Sequence, residues 1–172
     1  MCTLIAAMEH RSTNPKSEYF GRYLYLPGEI IRDQGVFTKY PGFSPTCLIW
    51  TSNPGVTHGE LTAQRALEVS CNYFFYELGS RMTIEMLNET ANGLGLGVPT
   101  GIELTEKVGW VTDEASKKAA YGETGVNSQI TAGDRVLAAI GQAENRFSPL
   151  QLCVYASTLA NKGTRMKATF LS

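Results

Sequence analysis

Ser70 and Asn72 stand two residues apart, between a helix-forming segment and the aromatic run Tyr73-Phe74-Phe75-Tyr76. A hydroxyl and a carboxamide at that spacing can be aimed into one cleft. There the hydroxyl can pass a proton to a departing amine, and the carboxamide can hydrogen-bond a carbonyl. That pairing suits amide-bond chemistry. Most Ser-x-Asn triplets are helix caps or turns instead, because both side chains compete for nearby backbone groups. The surroundings of the triplet decide between the two readings.

Other reactive side chains are sparse. The four cysteines, Cys2, Cys47, Cys71 and Cys153, are widely and irregularly spaced with no C-x-x-C, so they read as free, mostly buried thiols. His10 and His58 are the only histidines, and no metal or cofactor is expected from two isolated imidazoles. A reading in which Cys71 or Ser70 is a nucleophile and His58 its base lacks an evident carboxylate to orient the ring. Gly93-Leu94-Gly95-Leu96-Gly97 invites a nucleotide-loop reading, but Val98 and Thr100 stand where the third glycine should be. The run also follows a helix, not a strand, so it reads as a helix stop.

These residues must be placed by one ordinary globular core. The chain has 172 residues, 43% hydrophobic and 18% charged, a balance that excludes a disordered chain. A net charge of -1 gives no basic stripe for nucleic acid. No apolar run approaches the roughly 18 residues that span a bilayer. Met1 to Met8 lacks a basic leader and is not a signal peptide; it reads as a helix entered partway along, with no cap before it.

Along the chain, residues 11–58 form a loop-rich excursion punctuated by Pro27-Gly28, Pro41-Gly42 and Asn53-Pro54-Gly55. Tyr23-Leu24-Tyr25-Leu26 and Cys47-Leu48-Ile49-Trp50 have strand character within it. Residues 59–110 are mainly helical and hold the Ser-x-Asn triplet. The segment after Ser70 is apolar nearly all round, which predicts a buried helix. Thr83 and Glu85 open another helix, and Gly101-Ile102-Glu103-Leu104 reads as a short strand or extended piece. Asp113 to Lys118 predicts a brief surface helix with a solvated charged face. Residues 134–163 are helical again, with Ser148 as cap, Pro149 in the first turn and Gly163 at the close. Met166 to Ser172 reads as the opening of a strand.

Several of these pieces, in order, resemble one family. They are Thr57-His58-Gly59; Ala66-Leu67-Glu68-Val69-Ser70-Cys71-Asn72 with its aromatic run; Gly93 to Leu104; Ala139-Ile140-Gly141-Gln142; Ser148-Pro149-Leu150-Gln151-Leu152; and Ala160-Asn161-Lys162-Gly163-Thr164. Together they resemble the transpeptidase domain of penicillin-binding proteins, most of all the monofunctional (class B) elongation enzymes of Gram-positive bacteria. The resemblance implies an α+β fold: a partial serine β-lactamase/transpeptidase-like domain over 1–172, mostly its helical subdomain with short strands. It also makes Ser70-Cys71-Asn72 the second of three active-site elements, S-x-x-K, S-x-N and K-T-G. Ser70 would exchange protons with the catalytic lysine and the leaving amine. Asn72 would hydrogen-bond the bound peptide stem or a β-lactam side chain. Cys71 would point into packing.

The other two elements are missing from the sequence. No serine has a lysine three residues on, and Thr13-Asn14-Pro15-Lys16 carries a proline against the required helix start. Lys162-Gly163-Thr164 has the wrong order for K-T-G. The resemblance therefore implies a fragment of a D,D-transpeptidase, inactive alone, whose parent cross-links peptidoglycan stem peptides and binds β-lactams. A different reading is a non-catalytic module that grips stem peptides, a β-lactam or a protein partner. The parent would be membrane-anchored with this domain outside the bacterial cytoplasmic membrane, among other cell-wall synthesis proteins. Apolar surface left bare by missing elements would favour self-association.

Overall fold

The computed structural model describes residues 1–125 and 127–170. The chain divides into two units: Met1, Thr3–Thr83 and Thr131–Gln142 form the first, and Cys2, Ile84–Ile130 and Ala143–Ser172 the second. The mixture of helices and short strands is the α+β architecture that the sequence implies.

In the first unit the ordering element is an extended arm, residues 31–37. Its burial alternates strictly at first: Ile31, Asp33, Gly35 and Phe37 are buried, while Arg32 and Gln34 are exposed. Period-two alternation is the mark of an extended chain with one face inward. Strand β1 (Ile31–Arg32) pairs antiparallel with β2 (Glu60–Leu61), Ile31 opposite Leu61. The same arm continues the ladder, with Asp33 N–H donating to the Gly59 carbonyl at 2.8 Å. Further along it turns to other partners: Cys47 N–H donates to Gly35 and Phe37 N–H to Pro45.

Around the arm lie α1 (Cys2–Glu9), α2 (Leu48–Ser52), α3 (Ala63–Glu68), α4 (Asn72–Arg81) and α7 (Ala132–Ala138). Helix α4 is the centre of the core, as its all-round apolar character predicts. Phe74 and Leu78 are fully buried, and Tyr73 and Tyr76 set their rings edge-on to Phe37. Its one buried acid, Glu77, pairs with Lys39 and accepts from the Tyr73 hydroxyl. Gly79 lets α7 come close: a Cβ there would lie 2.6 Å from Ala139 Cβ. Thr3 Oγ1 ties α1 to the same end of α7 through the Ala139 carbonyl at 2.6 Å.

The second unit contains α5 (Ile84–Gly93), α6 (Glu114–Tyr121) and α8 (Pro149–Ala160). Ala91, Leu96 and Val111 form its apolar centre, with Phe147 and Tyr155 packed on it. Gln151 is fully buried and acts as a polar bolt. Its Oε1 accepts from Gly109 and Ser148, and its Nε2 donates to the Val98 carbonyl at 2.9 Å. Ser148 caps α8 and Pro149 opens it, as the sequence predicts. The glycine run closes α5, with Gly95 in the left-handed region.

Five local expectations are corrected. Residues 48–52 are helical, not a strand: Cys47 is extended, its carbonyl accepts from Thr51, and the turn lays Trp50 on Gly35. Tyr23 to Leu26 makes only an isolated bridge, Tyr23 to Arg11, because Leu24 and Tyr25 send their N–H groups to α1 and the residue after it. Residues 101–104 form no strand, since the Thr100 and Gly101 N–H groups are taken by the Glu106 carboxylate. On α6, Lys117 is buried to 4% exposure, its ammonium 5.6 Å from the Tyr121 ring, so that face is not wholly solvated. The strand expected from Met166 is irregular through 170, and residues 171 and 172 lie outside the described residues.

Gly79→Ala tests the close approach of α4 and α7. In an open helix this change stabilises by about 1 kcal/mol. Here the added methyl meets Ala139, and a loss of about 1–3 kcal/mol is expected in urea unfolding. A gain in stability would contradict the packing.

Candidate functional site

Ser70 closes α3. The Cys71 N–H donates to the Ala66 carbonyl at 2.9 Å and the Ser70 N–H to Leu67 at 3.2 Å. These two bonds define a Schellman turn, whose penultimate residue must take the left-handed conformation. Ser70 takes it, at φ +53°, and is exposed. An L side chain there costs about 1–2 kcal/mol relative to glycine. Such a cost is a pointer to function. Asn72 is the first residue of α4 and is half-buried; its carboxamide lies toward the Tyr76 hydroxyl one turn on, which donates to the Thr46 carbonyl. Burial raises the Tyr76 pKa and the Asn72 contact opposes it.

Between them, Cys71 is fully buried, and it is not alone. Asp33, Cys47, His58 and Cys71 bring one donor atom each to within 4.8 Å of one another. Each comes from a different segment. The β1–β2 register sets Asp33 beside His58, whose backbone N–H and ring Nδ1 both lie 2.9 Å from Asp33 Oδ2. The Gly35 N–H donates to Asp33 Oδ1 at 2.8 Å. The bond from Cys47 to Gly35 brings in the first thiol, and the Ser70 turn delivers the second. Cys47 Sγ lies 3.5 Å from His58 Nδ1 and 3.8 Å from Cys71 Sγ.

Electrostatics show what the cluster lacks. Burial would raise the Asp33 carboxyl, but the N–H groups of His58 and Gly35, with the His58 ring, outweigh it and hold its pKa below the ordinary carboxylate range. Burial pushes the Cys71 thiol up, and Cys47 and Asp33 add to this against the Phe74 N–H. A buried anion that discourages its neighbours from ionising is the arrangement a cation reverses. The spacing agrees. Two thiolates about 2.3 Å from one zinc in a tetrahedron stand about 3.8 Å apart, and a thiolate and an imidazole about 3.5 Å. Two sulfurs, an imidazole nitrogen and a carboxylate oxygen are a donor set that suits zinc, which would take the place of the proton His58 Nδ1 shares with Asp33 Oδ2.

The sequence assigned no metal, since positions 33, 47, 58 and 71 follow no ligand spacing. It also found no carboxylate for His58; Asp33 is that carboxylate, and His58 does stand with Cys71. The arrangement is nonetheless a poor nucleophile site. Both thiols and Asp33 are buried, and the His58 side chain is only 13% exposed. No sequence signal marks Asp33, because its inward position depends on an arm whose pattern of buried residues includes a charge and a glycine.

Comparison with known proteins now identifies the family and the fold. The penicillin binding protein transpeptidase domain matches residues 29–172. The chain belongs to the penicillin-binding protein transpeptidase family. Among curated relatives, the peptidoglycan D,D-transpeptidase MrdA of Acinetobacter baumannii is 28% identical over 137 residues, covering 79% of this chain and 19% of that protein. The Escherichia coli K12 protein of the same name is 31% identical over 107 residues, or 62% of this chain and 16% of its own length. The chain thus spans about a fifth of these relatives. Among solved structures, the penicillin-binding protein PBP2 of Helicobacter pylori in complex with MreC superposes with a TM-score of 0.76 at 22% identity, covering 98% of this chain and 27% of that one. PBP2 of Pseudomonas aeruginosa gives the same TM-score at 18% identity, covering 98% and 34%. These two show the shared fold. No helix among the described residues is long and apolar enough to cross a membrane.

Two outcomes are expected from this geometry. Ser70→Gly relieves the left-handed turn and raises stability by about 1 kcal/mol in chemical denaturation; unchanged or lower stability would show that the turn carries no such cost. The chain retains about one zinc through gel filtration, measured by plasma mass spectrometry, and His58→Ala loses it. Chelation then lowers stability by about 4 kcal/mol where free zinc had been a thousandfold above its Kd.

Proposed function

We propose that this chain is the S-x-N-bearing part of a peptidoglycan D,D-transpeptidase that cross-links stem peptides through a serine acyl-enzyme and is trapped there by β-lactams. The observation that carries the reading is Ser70, held exposed in a turn that favours glycine and set beside Asn72 at the head of a buried helix. In the whole protein, Ser70 exchanges protons with the lysine of S-x-x-K and with the leaving amine. Asn72 hydrogen-bonds the peptide stem or the β-lactam side chain.

The Asp33, Cys47, His58 and Cys71 centre serves as a structural zinc site. Four protein donors close a tetrahedron and leave no open position for substrate or water, which is the pattern of structural rather than catalytic zinc. Its role is to fix Cys71, and through it the residues on either side. The complex of the H. pylori relative with MreC supports a parent that works among cell-wall synthesis proteins; that the parent is membrane-anchored with this domain outside the membrane is part of the same proposal.

Acylation needs an activated nucleophile, and the sequence holds no Ser-x-x-Lys. The chain by itself is therefore inert toward penicillin, with neither acyl transfer nor a covalent adduct. The test uses fluorescent penicillin and denaturing electrophoresis. No labelled band is expected from this chain. In the whole protein, Ser70→Ala should slow labelling by about 10²–10⁴, the usual worth of a proton-transfer group. A band from the chain alone, or full-rate labelling of the variant, would overturn the assignment. Saturable, non-covalent binding of stem peptide by the chain would favour the binding-module reading instead.

A further inference from the structure

Two of the four donors are thiols, and their sulfurs are in van der Waals contact at 3.8 Å. A disulfide holds its sulfurs about 2.05 Å apart, so the pair need close by only about 1.8 Å. Neither cysteine is inside a helix. Cys47 immediately precedes α2 and Cys71 immediately precedes α4, both in extended backbone. These positions can give by rotation without breaking helical hydrogen bonds. The remaining cysteines, Cys2 and Cys153, are outside the cluster.

We propose that Cys47 and Cys71 form a redox-exchangeable pair, in which zinc binding and a disulfide are mutually exclusive states of one site. This rests on the structural-zinc reading above. The oxidant is a small-molecule disulfide. One cysteine thiolate attacks an oxidant sulfur, making a mixed disulfide and releasing one small thiolate. The second cysteine thiolate attacks the protein sulfur of that mixed disulfide and releases the other. The cysteines lose two electrons and the oxidant gains two. Zinc leaves as the divalent ion, and the two released thiolates take two protons from water. Only Asp33 and His58 then remain as ligands, too few for a closed site.

Burial sets the order of events. Both cysteines are at 0% exposure, so the oxidant reaches them only when the Ser70 turn opens locally. Bound zinc pins that turn shut, and the metal-free site is the one that reacts faster. Because Cys71 lies between Ser70 and Asn72, closing the disulfide draws on the backbone that aims both. The oxidation state of the pair and the aim of the S-x-N residues are therefore linked.

The experiment treats the zinc-loaded full chain with oxidised glutathione. Released zinc is read with a chelating dye, and cysteine connectivity by mass spectrometry of non-reduced digests. About one zinc should leave per Cys47–Cys71 cross-link, and dithiothreitol with added zinc should restore both. The metal-free chain should cross-link faster. Cys47→Asp, which keeps an oxygen ligand but cannot cross-link, should retain zinc under oxidant; Cys153→Ser should behave as the original chain. Release of zinc without the Cys47–Cys71 link, or the link with zinc retained, overturns the exchange. So does oxidation confined to Cys153 with zinc still bound. A chain that takes up no zinc before oxidant is added defeats the structural-zinc reading first, and the proposal with it.

Discussion

A ladder only two residues long, Ile31–Arg32 against Glu60–Leu61, governs the first unit. A one-residue slip would turn Ile31, Asp33, Gly35 and Phe37 outward together, since side chains alternate at every step. It would expose the ring against which Tyr73 and Tyr76 pack, and it would remove Asp33 from His58. The register is therefore not held by its few backbone bonds. It is held by what the arm buries: an isoleucine, a phenylalanine fitted among three tyrosine rings, and a carboxylate whose two oxygens are met by backbone N–H groups. Core and site share one register, so the site cannot loosen without disturbing the core.

This sharing explains what could be read from the sequence. Helix α4 was legible because Tyr73 to Tyr76 is apolar on all sides, and α8 because Ser148 and Pro149 are strong start signals. The 31–37 arm was not, although its burial alternates cleanly. Two of its four inward residues are Asp33 and Gly35, which no hydrophobic pattern recognises. Cys47 to Trp50 looked like a strand on propensity, and tertiary packing overrode it by laying Trp50 on Gly35. The metal donors were illegible for a stronger reason. Three separate links, the β-register, the Cys47–Gly35 bond and the Ser70 turn, must all form before they meet, and only the last of them is local.

Helix endings make the same point at smaller scale. Helices α3, α5, α7 and α8 all close with the two hydrogen bonds of a Schellman turn. In α5 and α7 the left-handed position is Gly95 or Gly141, and the sequence announces the stop. In α3 and α8 it is Ser70 or Lys162, and the stop is silent. The fold thus tolerates an L residue at this position, so the conformation of Ser70 alone does not prove a function. What separates Ser70 from Lys162 is the next residue. Gly163 leads away into irregular chain, whereas Cys71 enters a buried cluster and begins the central helix.

The triplet is best understood as three side chains sent in three directions by one turn. The left-handed residue turns Ser70 out to solvent, the following extended residue turns Cys71 into the interior, and the first helical residue lays Asn72 along α4 toward Tyr76. A glycine at position 70 would make the turn more cheaply but would carry no hydroxyl. A polar residue at 71 could not enter the cluster without a partner there. Each position is thus constrained by a different neighbour, and the precision of the outer two depends on how firmly the middle one is held. Without an ion, Cys71 is held by its own N–H bond to Ala66, by packing against Cys47 and by the Phe74 N–H. A four-donor ion would add bonds with fixed lengths and angles to that packing. That is the physical reason to expect the metal and the Ser-x-Asn element to rise or fall together.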